Sequence, residues 1–277
     1  MTESQSRRPV TYAALIALAA VFVFPFLWMV SSSLKSNIEA LTAPSTLLPE
    51  ALHWSNYREI WNVMNFPRQT FNSAVMAFTV TFGQIMIAAM AGYSFARLRF
   101  LGRDWLLVLF LATLIVPFEV LFVPLVVMLT DWGWTDTFAA LIIPSLANPF
   151  AIFIFRQFFV TIPRDLEEAM RVDGAGYYRI FWSLMLPLSG PAVATVFILT
   201  FLAEWSSLLK PLVFTSSEDM RTLQQGLAFL DQGAFISEPK VAWLMAGVVL
   251  VSIPPMVVFL LMQERFVKSI AATGLKG

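Results

Sequence analysis

An all-α polytopic membrane protein with six transmembrane helices is the fold class this sequence predicts, and three observations carry it. The 277 residues are 58% hydrophobic and 13% charged, with a mean hydropathy of +0.73, whereas soluble domains carry roughly 25% charged residues. Six apolar runs each reach the length of about 20 residues that a helix needs to cross ~30 Å of hydrocarbon. Between the fourth and fifth runs lies a charged, glycine-broken segment, residues 163–186. The formal net charge of zero argues against a nucleic-acid surface, which needs a basic excess. With no Cys there is no disulfide framework or thiolate site. The single His, His53, removes the common zinc arrangements and lacks a nucleophile–base set around it, so a membrane enzyme is disfavoured.

The runs are, in order, Val10–Val30, Phe71–Tyr93, Trp105–Leu129, Thr137–Phe159, Pro187–Leu209 and Trp243–Met262. The first follows Arg7-Arg8 and resembles a secretory signal. Its apolar stretch exceeds the roughly 7–15 residues of a signal core, and Phe26, Trp28 and Met29 make a poor cleavage site, so an uncleaved span is the better reading. Lys and Arg placement orients the chain. With a cytoplasmic N-terminus, the inner segments hold Arg7, Arg8, Arg97, Arg99, Arg103, Arg156, Arg164, Arg171, Arg179, Arg265, Lys268 and Lys276. The outer ones hold Lys35, Arg58, Arg68, Lys210, Arg221 and Lys240. Twelve against six places both termini and the 163–186 segment in the cytoplasm. The long external stretches Ser31–Thr70 and Lys210–Lys240 are expected to form small caps. The second carries Leu223, Leu227 and Leu230 at helical spacing. No internal repeat is visible, and 1–277 reads as a single transmembrane domain.

Within 163–186, Pro163 suits the first turn of a helix, and Asp165, Glu167 and Glu168 suit its positive end. Leu166, Ala169, Met170 and Asp173 are expected on one face. Gly174 and Gly176 interrupt the helix. A second short helix, Tyr177–Ser183, brings Tyr177, Tyr178, Phe181 and Trp182, and Pro187 is expected to end it and begin the next span. Such a helix pair enters a groove on a partner protein; alternatively it rests on lipid headgroups.

Glu168-Ala169-Met170, Asp173-Gly174-Ala175 and Leu186-Pro187-Leu188-Ser189-Gly190-Pro191 together resemble the EAA signature of ABC importer permeases. The likeness extends through Ser32-Ser33-Leu34-Lys35, Tyr93-Ser94-Phe95-Ala96-Arg97, Phe201, Glu204-Trp205, Lys210-Pro211-Leu212 and the tail Gln263-Glu264-Arg265-Phe266 to Gly274-Leu275-Lys276-Gly277. It covers nearly the whole chain and is nearest to the second permease of carbohydrate importers of the maltose and glycerol-3-phosphate type. Met170 departs from the second alanine of the signature. Ser206 and Ser207 stand where relatives carry Asn and an acid.

The resemblance implies a type I ABC importer permease fold and a place in a bacterial or archaeal inner membrane. It also implies a heterodimer with a homologous permease, a cytoplasmic ATPase dimer and an extracytoplasmic solute-binding protein. Glu167, Glu168, Ala169, Met170, Asp173, Gly174, Ala175, Tyr178 and Phe181 would then form the ATPase-coupling segment. This chain would bind no cofactor and perform no chemistry, with ATP and Mg on the ATPase. The absence of any Gly-x-x-x-x-Gly-Lys-Ser/Thr loop agrees, since a pump without a nucleotide site must borrow one.

Charged groups inside a bilayer usually face a cavity or a partner. Glu119, Asn148, Glu204 and Trp205 are therefore expected along the substrate path, with Trp205 free to stack on a sugar; the alternative is that the acids sit at the interface and Trp205 in the aromatic belt. Sugar or oligosaccharide is the expected cargo. Glycerol-3-phosphate or a related phosphodiester is the runner-up, with Lys210 as the anion contact. Intramembrane carboxylates also suit an ion-coupled carrier, but the EAA-like segment and the lack of repeat symmetry argue against one.

Overall fold

The computed structural model describes residues 8–231 and 240–274, with side chains described over 11–231 and 240–263. Arg7, Leu275, Lys276 and Gly277, and the side chains of Arg8, Glu264, Arg265, Phe266 and Lys268, lie outside the described residues. Every regular element among the described residues is helical. Three helices cross unbroken by length and composition: Thr11–Ser33 (span 1), Phe66–Arg97 (span 2) and Val241–Gln263 (span 6). The other three expected spans are bent pairs, which brings the number to six if each pair is one crossing.

Each bend has a local cause. In span 3, Arg103–Ile115 meets Phe118–Asp131 at 89°. Val116 is extended there, in keeping with the clash by which the ring of Pro117 disfavours the helical region for the residue before it. In span 4, Phe138–Ser145 meets Pro149–Thr161 at 44°. Asn148 is extended for the same reason, and its side chain caps the new helix by accepting from Phe150 N (2.9 Å) and Ala151 N (3.3 Å). In span 5, Tyr177–Leu188 meets Gly190–Trp205 at 73°. This corrects the expected break at Pro187. The short helix runs on through a π turn at Phe181–Met185 to Leu188, and the chain turns at buried Ser189. The wider π turn accommodates a proline whose missing amide would break a regular ladder.

The contacts divide the chain into two compact units. The first comprises residues up to Pro67 and Gly226–Ile253. Its apolar first span is exposed from Thr11 to Leu27 and becomes buried only at Ser32 and Ser33, an arrangement suited to hydrocarbon rather than water. Lys35, fully buried, ties down the loop after that span by donating to Ala43 O (3.1 Å), Thr46 O (2.6 Å) and Thr46 Oγ1 (2.8 Å). Asn56 adds bonds to the Ser33 and Lys35 carbonyls, both 2.8 Å.

The second unit comprises Arg68–Gln225 and the residues from Pro254 onward. Its main core joins spans 2, 4 and 5 through Ala88, Tyr93, Phe155, Phe159, Phe181 and Met185. Gly92 is what lets spans 2 and 4 approach. A Cβ there would lie 2.7 Å from Phe155 Cβ and 2.9 Å from the Arg156 backbone nitrogen.

Candidate functional site

Two sites emerge in the second unit. The first is the segment at the Arg97 end of span 2. Pro163 precedes its first helix rather than opening it; the helical turns begin at Arg164 and end at Val172. Asp165 and Glu167 occupy the first turn, where amide groups lack partners and the dipole favours acids. The far end closes as a Schellman motif. Gly174 N bonds Arg171 O (2.9 Å), Ala175 N bonds Met170 O (2.9 Å), and Gly174 takes φ +78°, a conformation costly for any residue with a Cβ. Arg171 lies over the Tyr177 ring at 4.8 Å and bridges the two halves of the bend.

The expected coupling residues divide by direction. Glu168, Ala169, Asp173, Gly174 and Tyr178 are exposed, the last at 83%. Glu167, Ala175 and Phe181 point inward, and Met170 is half-buried against the same core while Leu166, Ala169 and Asp173 are exposed, which corrects the expectation that these four residues share one face. Glu167, only 5% exposed, is claimed by Arg97 Nε at 2.8 Å. Val172, at 88%, stands out at the tip and escaped the sequence reading. Only the position of the αL turn shows that it points outward.

The second site is a cavity of about 930 Å³ between spans 2, 3, 4 and 5. Glu119, Asn148, Glu204 and Lys210 all line it, four residues scattered over ninety positions of sequence. Trp205 does not. It is 3% exposed and stacks on Phe201 with ring centroids 5.6 Å apart, so the expectation of a free sugar-stacking face is corrected to a packing role. The cavity wall carries a polar chain that the sequence reading missed. Gln84 Nε2 donates to Ser145 O (2.6 Å), while Gln84 Oε1 accepts from Thr200 Oγ1 (2.9 Å) and Asn148 Nδ2 (3.2 Å). Ser145 Oγ in turn accepts from Lys210 Nζ (2.9 Å), and Lys210 pairs with Glu204. In a continuous helix Ser145 O would take the amide of residue 149. Pro149 has none, and Gln84 supplies the donor. A Gln in the middle of an apolar span, opposite a proline-broken one, was the available signal.

Compared with known proteins, residues 84–272 match the family model described as "Binding-protein-dependent transport system inner membrane component". The chain belongs to this family. It is a permease subunit of a binding-protein-dependent ABC importer and a multi-pass inner-membrane protein. The match begins at Gln84 and includes both the 163–186 segment and the cavity. Among relatives of this permease, the sn-glycerol-3-phosphate transport system permease protein UgpE of Yersinia enterocolitica is 35% identical over 268 residues, 94% of each chain. The UgpE protein of Escherichia coli O1:K1 is 33% identical over 268 residues, again 94% of each. The fold of the permease also matches a chain in the crystal structure of a bacterial ABC transporter involved in import of the acidic polysaccharide alginate. The TM-score is 0.80 at 22% identity, covering 96% of this chain and 99% of that one.

Proposed function

We propose that this permease carries a sugar or oligosaccharide inward, paired with a homologous permease and fed by a solute-binding protein, with its bent 163–186 segment seated in a cleft of a cytoplasmic ATPase dimer. The observation that carries the docking reading is the exposed knob of Glu168, Ala169, Val172, Asp173 and Tyr178, apolar and small at the tip and acidic at the edge. A short helix with that face fits a groove on a partner, with charge fixing register. Both termini then lie in the cytoplasm, in keeping with the excess of Lys and Arg at that side. ATP and Mg belong to the ATPase, whose closure would tilt the segment and bias the permease between two arrangements.

The cargo reading rests on the cavity wall. Its amides and hydroxyls, from Gln84, Asn148, Thr113, Ser206 and Ser207, suit a polyhydroxylated solute, and the sole cation among its described lining residues, Lys210, is neutralised by Glu204. The names of the relatives favour a second reading, glycerol-3-phosphate, with Lys210 as anion contact once Glu204 lets go.

Calorimetric titration of the cognate solute-binding protein with sugars and with glycerol-3-phosphate separates the two. Binding of glycerol-3-phosphate with no response to sugars would sink the sugar reading. For docking, Gly174→Asp places a charge at the exposed turn and should uncouple transport from hydrolysis while insertion persists. Normal coupling in that variant would refute the docking assignment.

A further inference from the structure

We infer that Arg97 is a positioning residue that makes the docking helix a lever on spans 2 and 4, and through them on the cavity wall. The inference rests on reading 163–186 as the docking segment.

Arg97 is the last residue of span 2. Its guanidinium reaches two other elements at once. Nε meets Glu167 Oε1 at 2.8 Å, with side-chain exposures of 5% and 7%. Nη2 donates to Phe159 O (2.5 Å) and to Ile162 O, at the end of span 4. Those carbonyls lie at the negative end of the span 4 helix, where a cation is favoured; Phe159 O also takes the Ile162 amide at 3.3 Å. The Nε–Oε1 contact is an ion pair rather than an aligned hydrogen bond, so charge holds it while the two carbonyl bonds supply direction. The covalent link is equally short. Ile162 and Pro163 alone separate span 4 from the docking helix, and Pro163 has a ring-fixed φ of −56°. The docking helix therefore has no slack against span 4, and Glu167 ties it to span 2.

Above that bolt, spans 2 and 4 are fastened twice more. Gly92 brings span 2 into direct contact with the Phe155–Arg156 backbone. Gln84 then bonds Ser145 O and Asn148 at the break in span 4, on the cavity wall. Gln84 lies thirteen positions before Arg97 on one uninterrupted helix, ~20 Å at 1.5 Å per residue. A tilt of the docking helix is delivered to the wall through two helices that cannot slide apart. Close-packed helices of this kind switch between discrete arrangements rather than deforming gradually.

The test uses the complete importer in proteoliposomes, with two reporters. The chain has no Cys of its own, so Val172→Cys reports docking by cross-linking to the ATPase, and Ser206→Cys reports cavity access through maleimide labelling with and without ATP, Mg and vanadate. In the unaltered background we expect cross-linking and an ATP-dependent labelling change of about tenfold, within the span typical of allosteric coupling. R97Q should retain the cross-link while the labelling change collapses to less than about twofold, with R97K, which keeps charge but loses the fork, in between. Should R97Q fail to assemble, E167Q and R97K decide on the same readouts. A full labelling change with the cross-link intact in these variants overturns the lever but leaves docking standing. Absence of the cross-link in the unaltered importer overturns both.

Discussion

Gln84→Leu removes the donor that satisfies Ser145 O at 2.6 Å and the acceptor shared by Thr200 and Asn148. Pro149 provides no replacement donor, so the carbonyl is left unpaired in a partly buried site, a cost of about 1–2 kcal/mol. Thr200 loses its side-chain partner as well, worth about 0.6 kcal/mol on the scale of hydrogen bonds within membrane proteins. Asn148 loses less, because its Oδ1 still caps Phe150 and Ala151. The sum is about 2 kcal/mol, or a fall of about 4–6 °C in melting temperature for a chain of this size. Thermal unfolding of the purified permease in detergent measures it, with Thr200→Val as the internal control. That variant deletes one hydroxyl and leaves Gln84 on the carbonyl, so it should cost about 0.6 kcal/mol. Equal losses in the two variants would refute the assignment of Gln84 as the partner of the broken span.

Gly92→Ala and Gly174→Ala should behave oppositely to their surroundings. At Gly92 the new methyl meets Phe155 Cβ at 2.7 Å and the Arg156 backbone nitrogen at 2.9 Å, neither at the far end of a flexible side chain, and overpacking of about 1–3 kcal/mol should lower yield and melting temperature. At Gly174 nothing lies within 4 Å, so only the αL strain of about 1 kcal/mol remains, and fluorescence size-exclusion profiles should stay monodisperse. Trp205→Ala is expected to lose about 3–5 kcal/mol by emptying a buried stack on Phe201; unaltered stability with selectively reduced uptake would restore a substrate-facing role. Asp136 is a pH probe. Its carboxylate accepts the backbone amides of Ser217 (3.0 Å) and Ser216 (2.9 Å), which hold its pKa below the ordinary 3.8. Because the folded value is depressed, this tether contributes fully above about pH 4 and is lost as pH falls through the folded value. Melting temperatures followed from pH 7 to pH 3 should therefore drop more steeply in the unaltered permease than in Asp136→Asn. Parallel curves would show that the tether does not depend on charge.

Hydrophobic length is a local quantity, so the number and order of crossings were readable from the chain. So were the glycine bend at Gly174, which needs only a backbone preference, and the family likeness of the segment around it. The breaks at Pro117 and Pro149 were visible as prolines, but their angles of 89° and 44° were not, because a kink closes only where neighbours supply the missing donors. Span 5 shows the limit most clearly. Pro187 looks like a stop in one dimension, yet a π turn before it carries the helix to Ser189.

Facing direction is the property that local pattern could not reach. Glu167 and Glu168 are adjacent acids of the same chemistry, and the one that turns inward is the one that meets Arg97, seventy residues earlier. Glu204 and Lys210 are near in sequence, but whether they grip a solute or each other depends on Ser145 from a different span. Trp205 is buried because Phe201, one turn earlier on its own helix, offers a stacking surface where the cavity does not. Residue type and spacing constrain what a side chain is able to do. Which neighbour it does it with follows from helices brought together across long separations, where packing and charge pairing are satisfied only jointly.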